Sequence, residues 1–296
     1  MVTVFIQMTA QIPTPIPVTQ TIQPFGSDKD AWLVDIWGVM HNGVAAYTSA
    51  VEACCTFRER GGIVLLLSNS PRTTAGVQAQ LDQIGVTREA YDGIVTSGDA
   101  TRHLISRLGQ KGVFHLGPER DLGLYEGLRT RLVSAEDAEA VVCSGLFDDT
   151  IETPDDYAEL LAGFARAGLP MVCANPDLRV ERGGRMIYCA GALAQVYEKL
   201  GGTVAYAGKP FTPIYEMADE RLAGIKGHPI ARERLLAIGD GVKTDISGAA
   251  AAGIASVYIA SAVHIENGAT LDPALLETLF PDPEVRPVAA MTELAW

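Results

Sequence analysis

No apolar stretch in this sequence approaches the roughly 20 residues that an α-helix needs to cross a bilayer, so a membrane partner is not expected. Basic clusters are missing too. Against 36 Asp+Glu there are only 23 Lys+Arg, a formal net charge of −13, and the cations are scattered singly. That weighs against nucleic acid as a partner, which would require a basic face. Cysteine is scarce: five residues, at 54, 55, 143, 173 and 189, none in a C-x-x-C pair. Neither a disulfide framework nor a zinc knuckle is implied, and buried thiols in a reducing cytoplasmic setting are expected. Three fingerprints are absent as well. No G-x-G-x-x-G follows the first apolar run, where D-I-W-G-V stands instead; no G-x-x-x-x-G-K-[ST] exists, Lys209 being followed by Pro210; and there is no G-x-S-x-G. These absences disfavour a dinucleotide-binding dehydrogenase, a P-loop nucleoside triphosphatase and a serine hydrolase.

What is present is a globular composition, with 48% apolar and 20% charged residues over 296 positions, enough for one large domain or two modest ones. Short β-branched or leucine-rich runs at 31–36, 63–67, 93–96, 203–207, 235–238 and 254–259 alternate with helical patterns at 74–84, 99–108, 214–222 and 247–252. This alternation predicts an α/β fold with a doubly wound, mostly parallel, Rossmann-like core sheet covered on both faces. A second set of short strands at 113–116, 140–143 and 171–174, with a helix at 154–167 between the last two, predicts a smaller α/β cap domain inserted in the core. The turns Gly109-Gln110-Lys111-Gly112 and Gly201-Gly202 mark the expected joins, giving a core of 25–109 and 203–296 and a cap of 110–202. Residues 1–24 lack the basic start and long apolar segment of a signal peptide, and their Pro/Thr/Gln-rich stretch is expected to form an arm outside the fold.

Polar groups gather where the apolar runs end. Asp35 closes the first run in VDIWGVMHNG, and Ser68 and Asn69 close the second in LLLSNSPR. Lys209 follows another in AYAGKP; in LLAIGDGVKTDISG, Asp240 closes a strand and Asp245 falls in the loop or first helical turn beyond it. Singly, these read as a turn carboxylate, a helix cap, a solvated lysine and a strand cap. Together they occupy one edge of a parallel sheet, the edge where such folds bind ligands. Three carboxylates in one crevice repel one another and call for a cation, which would also let so acidic a chain admit an anionic substrate.

The ordered set D-x-x-G-V, S-N, G-K-P and G-D-x-x-x-x-D resembles the haloacid dehalogenase-like hydrolase superfamily, and within it the class IIA sugar- and nucleotide-phosphatase branch, whose large cap lies between the second and third motifs. The likeness runs from about residue 32 to residue 260 and includes CANPD at Cys173–Asp177. What the resemblance implies is a Mg²⁺-dependent phosphohydrolase acting on a small phosphorylated metabolite through an aspartyl-phosphate. Asp35 would be the nucleophile, and the metal would be held by Asp35, the backbone carbonyl of Trp37, Asp240 and Asp245. Ser68 would donate to a phosphoryl oxygen, Lys209 would pair with Asp35 and the phosphate, and Asn69, Asn175 and Asp177 would face the substrate. Dimerisation of two copies through their caps is a further expectation of the resemblance.

One position departs from that pattern. Relatives usually carry a second Asp two residues after the nucleophile, where this chain has Trp37, and an indole exchanges no proton near neutral pH. Three outcomes are open: His41 or Asn42 in the same loop replaces the missing acid; the substrate is an acyl or aryl phosphate whose leaving group needs no proton; or the chain binds a phosphorylated ligand without turning it over. A metal-independent dehalogenase would tolerate Trp37 but leaves Asp240 and Asp245 without a role, and ranks lower.

Overall fold

The computed structural model describes residues 15–182, 185–260 and 271–296. Thirteen strands are formed among them. In chain order they are β1 (Ala31–Asp35), β2 (Ile63–Ser68), β3 (Gly93–Thr96), β4 (Gly112–Leu116), β5 (Arg131–Leu132), β6 (Ala140–Cys143), β7 (Pro170–Cys173), β8 (Arg179–Arg182), β9 (Arg185–Tyr188), β10 (Thr203–Tyr206), β11 (Leu235–Gly239), β12 (Ala255–Ile259) and β13 (Ala289–Met291).

The larger sheet has the order β13-β12-β11-β1-β2-β3, and every neighbouring pair in it is parallel. Its strands read as unbroken apolar runs because both faces are covered. Trp32, Val34, Leu66 and Ile238 enter one apolar cluster, while Leu33, Leu65, Leu67 and Ala237 enter another on the opposite face. Trp32 stacks on Phe57 at 4.0 Å and donates its indole N–H to Gly26 O. The chain winds outward from β1 in one direction through β2 and β3, and in the other through β11, β12 and β13. The order therefore reverses between β1 and β11, and a doubly wound sheet opens its ligand crevice at the carboxyl ends of such a pair.

The smaller sheet, β10-β7-β6-β4-β5, is also parallel and lies between β3 and β11 in sequence. The helices Ala158–Arg166 and Ala190–Lys199 contribute Leu161, Phe164, Leu193 and Tyr197 to the cluster on one of its faces. The antiparallel hairpin β8–β9 stands apart from both sheets.

Three sequence expectations are corrected here. The strand near 203–207 is not part of the core sheet: β10 pairs with β7, Thr203 opposite Pro170, so the chain returns to the larger body only after Tyr206. Its V-A-Y run has the same character as a core strand, and only pairing distinguishes them. The helix Ser97–Arg107, assigned wholly to the core, touches both bodies: it packs on the helix Thr212–Lys226 and on β3, and also sets Ile105 with Val113, Leu124, Val142 and Val172 on the second face of the smaller sheet. The expected arm outside the fold is not seen where it is described. Residues 1–14 lie outside the described residues, but Ile16 and Ile22 are buried, and Thr19 N and Ile22 N donate to Ala290 O and Ala295 O, both at 2.9 Å. Isolated apolar residues between prolines do not show a period, so their packing was not readable in advance.

Four of the five cysteines are buried, Cys55 is half-buried, and none is paired. Among the described residues no helix is long and apolar enough to cross a membrane.

Candidate active site

Asp35 is the last residue of β1, and Asp240 follows β11 directly, so both carboxylates emerge at the reversal point. Asp245 lies in a wide turn, Val242–Ile246, that leads into the helix Ser247–Ala251 and is held back by Gly241 N donating to Asp245 Oδ2 at 3.0 Å. The three buried side chains bring oxygens within 4.8 Å of one another. Lys209, 2% exposed, enters this cluster from the turn after β10 and donates its ammonium to Asp35 Oδ1 at 2.5 Å, Asp245 Oδ1 at 2.8 Å and Leu67 O at 3.3 Å. Gly38 is what lets the turn after β1 pass so close. Its φ is +87°, and a Cβ there would collide with the Asp240 carboxylate.

One ammonium does not neutralise three carboxylates. Burial, foremost, pushes the Asp35 carboxyl well above the usual carboxylate range; Lys209 opposes the shift, and the Asp245 and Asp240 charges add to it. Burial alone would lower the Lys209 ammonium, but Asp245 and Asp35 overcome that and hold it above its ordinary value. The cluster thus keeps its lysine charged and retains an excess of negative charge, and its donor set is all oxygen. That combination suits a hard divalent cation.

The remaining sequence candidates are placed as follows. Ser68, the last residue of β2, is buried and accepts from Ser70 N at 3.1 Å. Asn69 acts as a clamp. Its Oδ1 accepts from Lys209 N at 2.8 Å, and its Nδ2 donates to Lys209 O at 3.2 Å and to Asp177 Oδ1 at 2.9 Å. Asp177, raised chiefly by burial, is thus tied across the seam to the larger body. Asn175 Oδ1 accepts from Asp177 N at 3.0 Å, which is the capped-turn role. The Trp37 side chain is half-buried and lies beside the turn, its ring edge-on to His41 at 5.1 Å.

His41 is not at the surface, as a loop histidine would ordinarily be. It is 1% exposed, its Nδ1 accepts from Gly43 N at 2.9 Å, and burial lowers it to about 4, so it is neutral at pH 7. Asn42 is committed as well, its Oδ1 accepting from Val44 N and Ala45 N at 3.0 and 2.9 Å. Both side chains build the loop.

Sequence reasoning missed Gly208, where a Cβ would sit 2.5 Å from Asn69 Oδ1 and 2.8 Å from Pro176 Cδ, so that only glycine lets the two bodies meet there. The glycine in AYAGKP was the available signal. Arg120 and Arg182, which share Asp149 at 2.5 and 2.9 Å, left no such signal.

With known proteins the chain shows these likenesses. Residues 32–129 match the family described as haloacid dehalogenase-like hydrolase, and residues 206–276 match the family described as HAD-hydrolase-like. A crystal structure of a haloacid dehalogenase-like family hydrolase from Brucella suis is 44% identical, with a TM-score of 0.83 over 93% of this chain and 99% of that one. The D-glycerol 3-phosphate phosphatase of Mycobacterium tuberculosis is 28% identical over 257 residues, 82% of this chain; the matched region spans only 66% of that relative's length. A structure of the glycerol phosphate phosphatase from M. tuberculosis in complex with magnesium superposes with a TM-score of 0.67 at 25% identity, over 89% of this chain and 74% of that one.

Proposed function

The chain belongs to the haloacid dehalogenase-like hydrolase family, and we propose that it is a Mg²⁺-dependent phosphatase of small phosphorylated metabolites, working through Asp35. The observation that carries this reading is the buried trio Asp35, Asp240 and Asp245 with Lys209 bridging two of its members. Such a cluster brings a nucleophilic oxygen and compensating charge to one point, as phosphoryl transfer requires.

The oxygens of Asp35, Asp240 and Asp245 and the carbonyl of Trp37 would hold Mg²⁺, the ion present in the M. tuberculosis structure. Bound there, Mg²⁺ supplies charge that offsets the phosphoryl oxygens and lets an anionic nucleophile approach an anionic ester. Asp35 attacks phosphorus; the ester P–O bond breaks, and its electron pair leaves with the departing oxygen. Water then cleaves the aspartyl-phosphate, releasing phosphate and restoring Asp35. Lys209 orients the Asp35 carboxylate and faces the transferring charge. The Ser68 hydroxyl donates to a phosphoryl oxygen. Five unpaired cysteines support a cytoplasmic location.

Trp37 restricts this chemistry. With His41 neutral, buried and engaged through Nδ1, and Asn42 held in its turn, neither loop residue is set up to protonate a leaving alkoxide. We therefore favour aryl or acyl phosphates, whose leaving groups are stable as anions. The same feature favours a second reading, a protein that binds a phosphorylated ligand without turnover. The test is release of phosphate from 4-nitrophenyl phosphate. It should require Mg²⁺, stop with EDTA and be absent in Asp35→Asn. Binding of the ester without release would select the second reading; phosphate release that survives EDTA would refute the metal requirement, and halide release from a haloacid unaffected by EDTA would return the dehalogenase to consideration.

A further inference from the structure

Where the two bodies meet, a cleft of about 280 Å³, open to solvent, lies between the loop after β2 and the loop after β4, with the Arg72 and Arg120 side chains exposed along it. Its walls include Arg72 and Thr73 from the larger body and Arg120, Asp121 and Gly123 from the smaller one. That space is several times the ~30 Å³ one water occupies in the liquid.

Its charge is unusual for this chain. In a protein of net charge −13, Arg72 makes no salt bridge among the described residues; its guanidinium donates to Gln80 Oε1 at 3.3 Å, and its charge acts on Asp121 in the same wall. Arg120 has a carboxylate partner, Asp149, but shares it with Arg182, so two guanidiniums divide one negative charge. Asp121 is 4% exposed; burial raises its carboxyl, while the Ser144 hydroxyl and the Arg120, His115 and Arg72 charges lower it in part, so it offsets some of the positive charge of this wall. A third guanidinium, Arg102, donates to the carbonyls of Gly123 and Leu124 and so fixes the cleft's far wall.

The cleft is also within reach of the phosphoryl site. Arg72 lies four residues beyond Ser68, with the intervening turn tightened by Ser70 N on Ser68 Oγ and Arg72 N on Ser70 Oγ. On the other side, Asp177 just beyond β7 touches Asn69, while Arg120 and Asp121 follow β4. β7, β6 and β4 are successive neighbours in the smaller sheet. Four residues of chain span at most about 14 Å, so Arg72 stays within a small metabolite's length of Ser68.

We propose that Arg72 and Arg120 form a second anion pocket, and that the preferred substrate carries, besides the phosphoryl group facing Asp35, a second anionic group, either a carboxylate or another phosphate. This rests on the phosphatase reading and names the substrate class for it. The guanidinium fork suits either group, each presenting a pair of oxygens.

The test is equilibrium binding in Mg²⁺ of non-hydrolysable probes. Three series of matched chain length serve: n-alkylphosphonates, ω-carboxyalkylphosphonates and α,ω-alkane bisphosphonates. At the chain length that fits, one or both series with a second anionic head should bind roughly 10- to 100-fold tighter than the alkylphosphonate, the value of one or two charge-assisted hydrogen bonds. Which series shows the advantage identifies the second group. Arg72→Ala and Arg120→Ala should each remove that advantage and leave the alkylphosphonate Kd unchanged; Arg182 remains to pair Asp149 in the second variant. The proposal is overturned if no length shows an advantage, if the advantage survives both substitutions, or if the variants weaken all three series alike. Alkylphosphonate binding with no advantage from a second anionic head removes this proposal alone, whereas failure of every phosphonate to bind removes the phosphatase reading with it.

Discussion

Replacing Trp37 with Asp tests the account of this site most directly. The indole is half-buried, stands edge-on to His41, and covers Gly43, where a Cβ would lie 2.6 Å from the ring. Removing a fully buried Trp costs about 3–5 kcal/mol, so losing this half-buried ring should destabilise the fold by roughly half of that. The catalytic effect runs the other way. A positioned general acid is worth about 10²–10⁴ in rate, or roughly 3–5 kcal/mol of barrier. The gain should fall on esters whose leaving oxygen needs a proton. In Trp37→Asp, kcat/KM for glycerol 3-phosphate should therefore rise by about 10²–10⁴, with a much smaller rise for 4-nitrophenyl phosphate. Before the substitution, poor activation of water should let the aspartyl-phosphate accumulate, visible as a burst of 4-nitrophenolate. If Trp37→Asp folds, binds Mg²⁺ and gains nothing on the alkyl ester, the reasoning about the missing acid is wrong. Equal gains on both esters would mean that the ring merely obstructs the site.

Three further outcomes follow from the geometry. Lys209→Met leaves Asp35 and Asp245 facing each other in a buried site, so unfolding in EDTA should come about 3–5 kcal/mol more easily, with much of the loss recovered in Mg²⁺; thermal melts equal to wild type in EDTA would contradict the charge account. His41 is lowered from its ordinary 6.5 to about 4, so between those values the unfolded chain binds the extra proton and stability falls as pH drops. The total is about 3 kcal/mol, and His41→Asn, which keeps an acceptor for Gly43 N, should flatten that part of a pH series of denaturant melts. Gly38→Ala places a methyl against the Asp240 carboxylate at φ +87°, with a strain of about 1–3 kcal/mol; calorimetry should find weaker Mg²⁺ binding, and unchanged affinity would show that Asp240 can move aside.

Much of the fold and part of the site could be read from the chain alone. The runs ending in Asp35, Ser68 and Asp240 are apolar throughout because both sheet faces are covered, and polar residues at their ends mark the edge where covering stops. Their spacing and order also carried the family likeness. Other features left no such trace. β10 reads like a core strand yet pairs with β7, because an apolar tetrapeptide fits either sheet and pairing is decided by the chain on both sides of it. His41 could be placed in a loop but not in its interior, since a single residue has no period from which burial can be inferred.

The chain by itself determined that strands and helices alternate, that acidic groups end the strands, and that no general acid follows Asp35 at the usual place. These are local properties, written in composition and spacing. Only the tertiary structure decided that Lys209 lies between Asp35 and Asp245, that Asn69 grips Asp177 across the seam, and that Arg72 and Arg120 line one cleft. Each of these contacts joins residues from separate elements. Such contacts depend on how two sheets come together, and no local preference of either partner encodes that.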